Sequence, residues 1–422
     1  MKVKKPLKII IFHPQGNANV RSSAIAFVNA QLLSRYVTSI ACFPQTFLYK
    51  LTNYGPFKEL RKRSLDIVLK PFTKTHAFRE LGRIIATKAN LKKLIKQETG
   101  FFSVQEITRN IDRKVAAEIE NANDQILNAV YAFEDGAYYS FLASKKRKFI
   151  NFYDLPTGYW RAKLRILEAE KKKFPQWEST ITGLFDSVEK LRRKDEEIKM
   201  ADMIFVASQF TASTLNDFQG QLPPIKVMPY GFPEVSEPRN YREININTPI
   251  KLLFVGNLSQ QKGIAYLFEA IQPLGNKVTL TLVGRKADEN NEVLNSELNK
   301  HTWIPSLHHS DILLTMREHD VLVFPTLFDG FGLVITEAMS QGTPVIATYN
   351  CAGPDLIENG KNGWLVETGS VSALQNVIES LIQNPNSIAV AGKAARETAK
   401  HRPWNVFQNE LATAINSFNL HG

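Results

Sequence analysis

The sequence predicts an α/β protein made of two Rossmann-like, doubly wound domains, and three observations lead there. Apolar runs of strand length alternate with helical segments in both halves of the chain. A stretch rich in Pro, Asn and Glu, 229–249 (PYGFPEVSEPRNYREININTP), separates the halves. At 422 residues the chain also exceeds what one compact core usually holds.

The first half opens with a strand, Leu7 to Phe12, followed by the loop HPQGNANVRSS. A helix from about Ser23 to Leu33 and a strand from Ser39 to Phe43 then give the start of a βαβ unit. It lacks G-x-G-x-x-G, so no dinucleotide fingerprint is present. Phe149 to Tyr153 reads as a further strand, Arg161 to Lys199 as a long charged helical region, and Met203 to Ala207 as a short strand with Ser208 as the N-cap of the next helix. After the linker the order is KLLFVG, GIAYLFEAI, VTLTLVG, VLVFP with its helix, then PVIA: a second doubly wound unit. The boundaries are set at 1–230, a linker at 231–250, and 251–400, with a last helix over 403–420 whose packing partner periodicity does not reveal.

Hydrophobic content of 44% and charged content of 22% are ordinary for a globular protein. No apolar window is long enough to cross a bilayer. The basic start MKVKKPLKIIIFHP lacks a signal-length apolar core and reads as a first buried strand. Cys42 and Cys351 lie far apart and make no metal spacing, so a reducing, cytoplasmic setting is expected. The net charge of +11 is uneven: 251–390 holds 8 Lys+Arg against 14 Asp+Glu, leaving +17 on the remainder. The densest basic stretch, Lys58 to Lys96, has 12 Lys+Arg against Glu59, Asp66 and Glu80, with apolar residues interleaved at helical spacing. A solvated helical face is the plain reading. The sharper one is a cytoplasmic protein held peripherally at the anionic inner face of a membrane. Nucleic acid is not expected as a partner, for no helix-turn-helix, zinc-finger or RNP signature is present.

Three segments fall at strand C-termini, where open α/β sheets bind ligands. Gly256-Asn257-Leu258-Ser259-Gln260-Gln261-Lys262-Gly263 is a turn with a lysine at a helix start. Val283-Gly284-Arg285 is the second. The third runs from Asp329 through Gly330, Phe331, Gly332 and Leu333 to Glu337, a strand–glycine loop–helix unit. Its free N–H groups and helix dipole make an anion cradle with a carboxylate one to two turns in, which points to a phosphate-bearing ligand that also carries hydroxyls.

With these motifs in hand, Leu252 to Val366 resembles the donor-binding domain of retaining family-4 glycosyltransferases, which have the GT-B fold. Asp329 and Glu337, within DGFGLVITEA, match the family's E-x7-E element, and GTPVIAT, GPDLI and NGKNGWLV follow in family order. MADMIFVASQFT and PYGF extend the likeness more thinly into the first half. The resemblance implies two domains facing across a cleft, with the last helix returning to the first. It implies a nucleotide-diphosphate sugar as donor substrate and no separate cofactor. It places the diphosphate against Lys262 and the amides of Gly330 to Leu333, with Gly284 and Arg285 nearby. It gives Glu337 the ribose hydroxyls, Asp329 the sugar hydroxyls, and Gly16 a close backbone approach. No Asp-x-Asp pair occurs, so a metal is not expected. The implied acceptor is a glycan or a lipid-linked glycan of the cell envelope.

The chain departs from the family in three places. Asn257 stands where an Arg is usual, with Arg285 as a neighbour able to compensate; Asp329 is one methylene short of Glu; and Tyr153 and Asp154 stand where many relatives carry a His. On the acceptor side the candidates are His13, Asn17, Tyr153 and Asp154, the last having an Asx cap before Pro156 as its other reading. His308 and His309 read as a solvated loop. The competing readings are a nucleotide-sugar-binding protein without turnover, an epimerase on the same fold, and a nucleic-acid binder driven by charge alone.

Overall fold

The computed structural model describes residues 6–44, 46, 49, 60–245 and 248–421. Lys58 and Glu59 of the basic stretch and positions 246–247 of the linker lie outside the described residues.

Two parallel sheets organise the chain. The first holds β1 (Ile9–Phe12), β2 (Leu33–Thr38), β3 (Thr73–Thr75), β4 (Ala129–Phe133), β5 (Ile150–Leu155), β6 (Met203–Val206) and β7 (Ile225–Val227) in the order 3-2-1-4-5-6-7. The second holds β8 (Ile250–Val255), β9 (Val278–Val283), β10 (Thr302–Ile304), β11 (Val321–Phe324), β12 (Val345–Thr348) and β13 (Gly363–Val366) in the order 10-9-8-11-12-13. Central strands such as β1, β4 and β11 are apolar and buried along their whole length, as sheets covered on both faces require. Strand order reverses between β1 and β4 and between β8 and β11, which opens a crevice at the C-terminal strand ends of each sheet. The two-domain GT-B expectation holds.

Three local expectations are corrected. The first helix spans Ala18–Asn29 and starts five residues before Ser23. Ser22 and Ser23 are buried inside it, and Ser22 Oγ accepts a hydrogen bond (3.1 Å) from Gln408 Nε2 of the last helix. The second strand is Leu33–Thr38; Ser39 to Phe43 is irregular and touches Ser64 only through a bridge at Cys42. The polar Ser34 and Arg35 obscured that strand, whose pairing with β1 decides its place. The charged region breaks into Trp160–Lys173, a 3-10 turn over Pro175–Thr180, and Val188–Met200, interrupted at Pro175 and Gly183.

The last helix, Trp404–His421, packs on the Ala18–Asn29 helix of the first domain. Phe407, Leu411 and Ile415, one turn apart, are buried there, each worth about 1.5–3 kcal/mol of apolar burial. The two crossings between domains run side by side, with Phe232 N–H donating to the Arg402 carbonyl (2.8 Å). A third link was not legible in the sequence: Leu167, Phe174, Trp177 and Ile181 join the hydrophobic cluster of the second domain. Trp177 stacks on Phe268 there. Segment 167–181, read as part of the first domain, therefore clamps the second.

Candidate functional site

The site is built where the loop after β11 meets the turn after β8. Pro325 ends β11, and Gln261 ties the two loops: its carbonyl accepts from Leu327 N–H (2.9 Å) and its amide donates to the Phe328 carbonyl (3.0 Å). This lacing brings the Lys262 ammonium into direct contact with the Asp329 carboxylate, whose other oxygen accepts from Phe331 N–H (3.2 Å). The turn bearing Lys262 is itself held from the first domain. Gln260 Nε2 and Tyr266 Oη donate to the buried Glu170 carboxylate (2.6 and 2.9 Å), and Gln260 N–H donates to Thr180 Oγ1 (3.0 Å).

Gly332 stands at φ +83° and starts the helix Leu333–Ser340; a Cβ there would lie 2.6 Å from the Phe324 ring. Among the described residues the N–H groups of Gly332 and Leu333 meet no acceptor, which leaves a helix start able to receive an anion. A cavity of about 350 Å³ opens there, lined by Asn19, Tyr230, Gly256, Lys262, Asp329 and Gly332. Glu337 lies one turn beyond Leu333. Burial raises its pKa, and His309, with Nδ1 3.7 Å from Oε1, pulls it back down.

Across the cleft, the Gly330 carbonyl accepts from Ser208 Oγ (2.6 Å) and Thr211 Oγ1 (2.9 Å) of the first domain. Ser208 also caps its own helix through Thr211 N–H, as read from the sequence. A Cβ on Gly330 would sit 2.0 Å from the Pro156 carbonyl oxygen. The domains therefore touch backbone to backbone beside Asp329.

The remaining predicted residues are distributed as follows. His13 Nδ1 accepts from the N–H groups of Gln15 and Gly16 (3.1 Å each), and burial with help from Arg63 lowers its pKa to about 4. It is a neutral ring that shapes the loop. Gly16 stands at φ +58°, and a Cβ there would meet Tyr36 Oη at 2.7 Å. Asn17 is exposed at the helix start and makes no capping bond. Asn257 and Arg285 are exposed, and among the described residues neither side chain has a hydrogen bond or ion pair. Gly284 packs directly on the Gly256 carbonyl.

Tyr153 is corrected as an acceptor-side residue. Successive strand residues face opposite sides of the sheet, and Tyr153 points into the core, its hydroxyl donating to Glu197 Oε2 (3.1 Å). Asp154 is neither an Asx cap nor exposed to the cleft: it lies within β5, buried, and accepts from Tyr131 Oη (2.7 Å). Burial raises its pKa to about 7. His309 is exposed, as read from the sequence, yet its ring approaches Glu337, which nothing in LHHSD marks. Asn19 and Tyr230, joined by a 3.2 Å hydrogen bond, were missed.

The basic stretch presents an inverted helix, Phe78–Lys88. Glu80 faces inward, fully buried between Arg63 and Arg83. Phe78 and Ile85 face outward, 72% and 65% exposed, and Leu81 and Phe101 are exposed beside them. Lys92, Lys93 and Lys96 follow on the surface. Among the described residues no helix is long and apolar enough to cross a membrane.

With the geometry described, comparison with known proteins gives consistent results. The family model described as Glycosyl transferases group 1 matches residues 237–398. The capsular polysaccharide biosynthesis glycosyltransferase CapM of Staphylococcus aureus is 30% identical over 181 residues, 41% of this chain and 47% of that protein. The chain thus spans about half the length of that relative. Among solved structures, sucrose-phosphate synthase from Thermosynechococcus elongatus superposes with a TM-score of 0.64 at 16% identity, covering 99% of this chain and 100% of that one. Anabaena HepE in complex with UDP gives 0.62 at 18% identity, covering 97% and 100%. Residues 237–398 therefore match the group 1 glycosyltransferase family model, within a chain whose two Rossmann-like domains have the GT-B fold.

Proposed function

We propose that the protein transfers a sugar from a nucleotide-diphosphate sugar to a glycan or lipid-linked acceptor, with retention at the anomeric carbon and without a metal ion. The observation that carries this reading is the convergence of the Lys262 ammonium and the Gly332 and Leu333 N–H groups on one cavity, with Glu337 one turn further. The bond from the sugar C1 to the diphosphate oxygen breaks, and charge grows on the diphosphate. A fixed cation and preorganised N–H groups stabilise that charge more than the ground state. C1 bonds to the acceptor oxygen on the same face, and the acceptor proton passes to the departing phosphate. Glu337 accepts from the ribose hydroxyls, and Asp329 orients Lys262 and the sugar. UDP is the first nucleotide to try, since HepE was solved with it. A role in cell-envelope polysaccharide synthesis follows the name of CapM.

The outward apolar face of Phe78–Lys88 and the basic surface around it fit an anionic bilayer, which would bring lipid-linked acceptors to the cleft. The reading of a binding protein without turnover draws on the unpartnered Asn257 and on Lys262 being held by Asp329. Release of free nucleoside diphosphate, with the anomer of the product fixed by NMR, tests the reading. Release lost in Glu337→Ala supports it; tight donor binding with no release under any acceptor favours the binding protein.

A further inference from the structure

A second cavity of about 400 Å³ opens on the other side of the Lys262–Asp329 pair, walled by Thr157, Trp160, Lys163, Lys190, Lys194 and Phe328. Its charges are nearly all spoken for. Lys190 Nζ pairs with Asp186 (2.8 Å) and Asp135 (3.2 Å). Lys194 Nζ pairs with Glu134 (3.1 Å) and Asp186 (3.5 Å). The second oxygen of Glu134 accepts from Thr157 Oγ1 (2.7 Å).

Lys163 is the exception. Its side chain is half-buried, and among the described residues its ammonium has no hydrogen bond and no ion pair. The ammonium lies over Gly183, 2.3 Å from where a Cβ at that position would be. Gly183 stands at φ +80°, and its bare backbone leaves the space that Nζ occupies. Burial lowers the Lys163 pKa, and the charges of Lys194 and Lys262 lower it further, against Glu134 and Asp186. A partly desolvated cation without a partner is costly, and an anion placed beside it offsets that cost.

Building on the glycosyl-transfer reading, we propose that this cavity receives the acceptor, and that the acceptor carries an anionic group of phosphate type held by Lys163. Trp160 and Phe328 supply apolar walls for the rest of the molecule. Because Lys262 and Asp329 line both cavities, an acceptor anchored at Lys163 has its hydroxyl delivered to the edge where the donor sugar would lie.

The test is calorimetric titration of methyl phosphate into the full chain already saturated with UDP. The wild type should bind it, Lys163→Gln should weaken binding tenfold or more, and Lys163→Arg should retain most of it. UDP affinity should stay within twofold in Lys163→Gln, and far-UV circular dichroism melting reports whether that variant is folded. No binding to the wild type, or equal binding to folded Lys163→Gln, overturns the proposal. A tenfold loss of UDP affinity in Lys163→Gln also overturns it, because the anion at Lys163 would then be the donor's own. If UDP itself does not bind, the glycosyl-transfer reading is what fails. Methyl phosphate titrated alone then still reads the anion site: dependence on Lys163 supports it, and independence overturns it.

Discussion

Lys262 and Asp329, 67 positions apart, close into an ion pair where the loops after β8 and β11 meet. The aspartate is short, and the contact forms because Gln261 fastens the two loops together through both its backbone and its side chain. On the proposed reading, a ligand diphosphate would meet a lysine already fixed in place rather than a mobile one.

Among the described residues lining the cavity at the helix start Lys262 is the one side-chain cation, and its removal takes that charge away. Lys262→Ala is expected to lower kcat by about 10²–10³-fold, the usual cost of losing one group that stabilises developing charge. Steady-state release of nucleoside diphosphate measures it. Asp329→Asn keeps the lysine, so it should lower activity less than Lys262→Ala does.

Glu337 is expected to matter for the nucleoside and not for the sugar. Glu337→Ala should weaken binding of a nucleoside diphosphate by about 1.5–3 kcal/mol, the range for hydrogen bonds to a charged group, and leave inorganic pyrophosphate binding unchanged. Burial raises the pKa of Glu337 and His309 counters it. In His309→Ala the fall in nucleotide affinity on acidification should therefore begin at a higher pH than in the wild type.

Asp154 makes a prediction for stability. Its pKa is about 7 when folded, against about 3.9 when unfolded. The folded state thus binds the extra proton, so the contribution is fully present below about pH 4 and is lost as pH rises through 7. Asp154→Asn can keep a bond to Tyr131 without the ionisation. It should match the wild type near pH 4 and melt higher than it at pH 8, by thermal unfolding at both values. A wild type that gains on the variant as pH rises would contradict the assignment.

Glu170 holds the turn that carries Lys262. Glu170→Ala leaves the Gln260 Nε2 and Tyr266 Oη donors without an acceptor, which costs about 1–3 kcal/mol. The expected signature is a raised donor KM with a smaller change in acceptor KM, and the conservative Glu170→Gln should recover part of it.

The outward face of Phe78–Lys88 is tested by vesicle flotation at low salt. Vesicles with an anionic lipid should carry the wild type and neutral ones should not. Phe78→Ser with Ile85→Ser should abolish flotation and leave nucleotide affinity unchanged.

The second domain was the more legible half. There strands are continuous apolar runs, and each ligand loop follows one directly, so Lys262, Gly332 and Glu337 could be assigned to segments at strand C-termini, and the family resemblance then implied that they share one site. The first domain was read less well. Tyr153 and Asp154 both read as acceptor-side candidates, although adjacent strand positions face opposite ways and both are buried. The early start of the first helix was hidden because Ser22 and Ser23 look like loop residues until the last helix packs against them. Contacts made only by tertiary approach were not legible at all. His309 beside Glu337, Glu170 under Gln260, and the Ser208 and Thr211 hydroxyls on the Gly330 carbonyl each join residues from distant segments.

The most direct test of the donor site is a thermal-shift titration of wild type, Lys262→Ala and Glu337→Ala with a panel of nucleoside diphosphates and their sugars, UDP first. A ligand at 100 times its Kd adds about 2.7 kcal/mol to the stability of the state that binds it. The account predicts a clear rise in Tm for the wild type with one nucleotide base, and little or none in either variant. No rise with any nucleotide, or an equal rise in all three proteins, would contradict it.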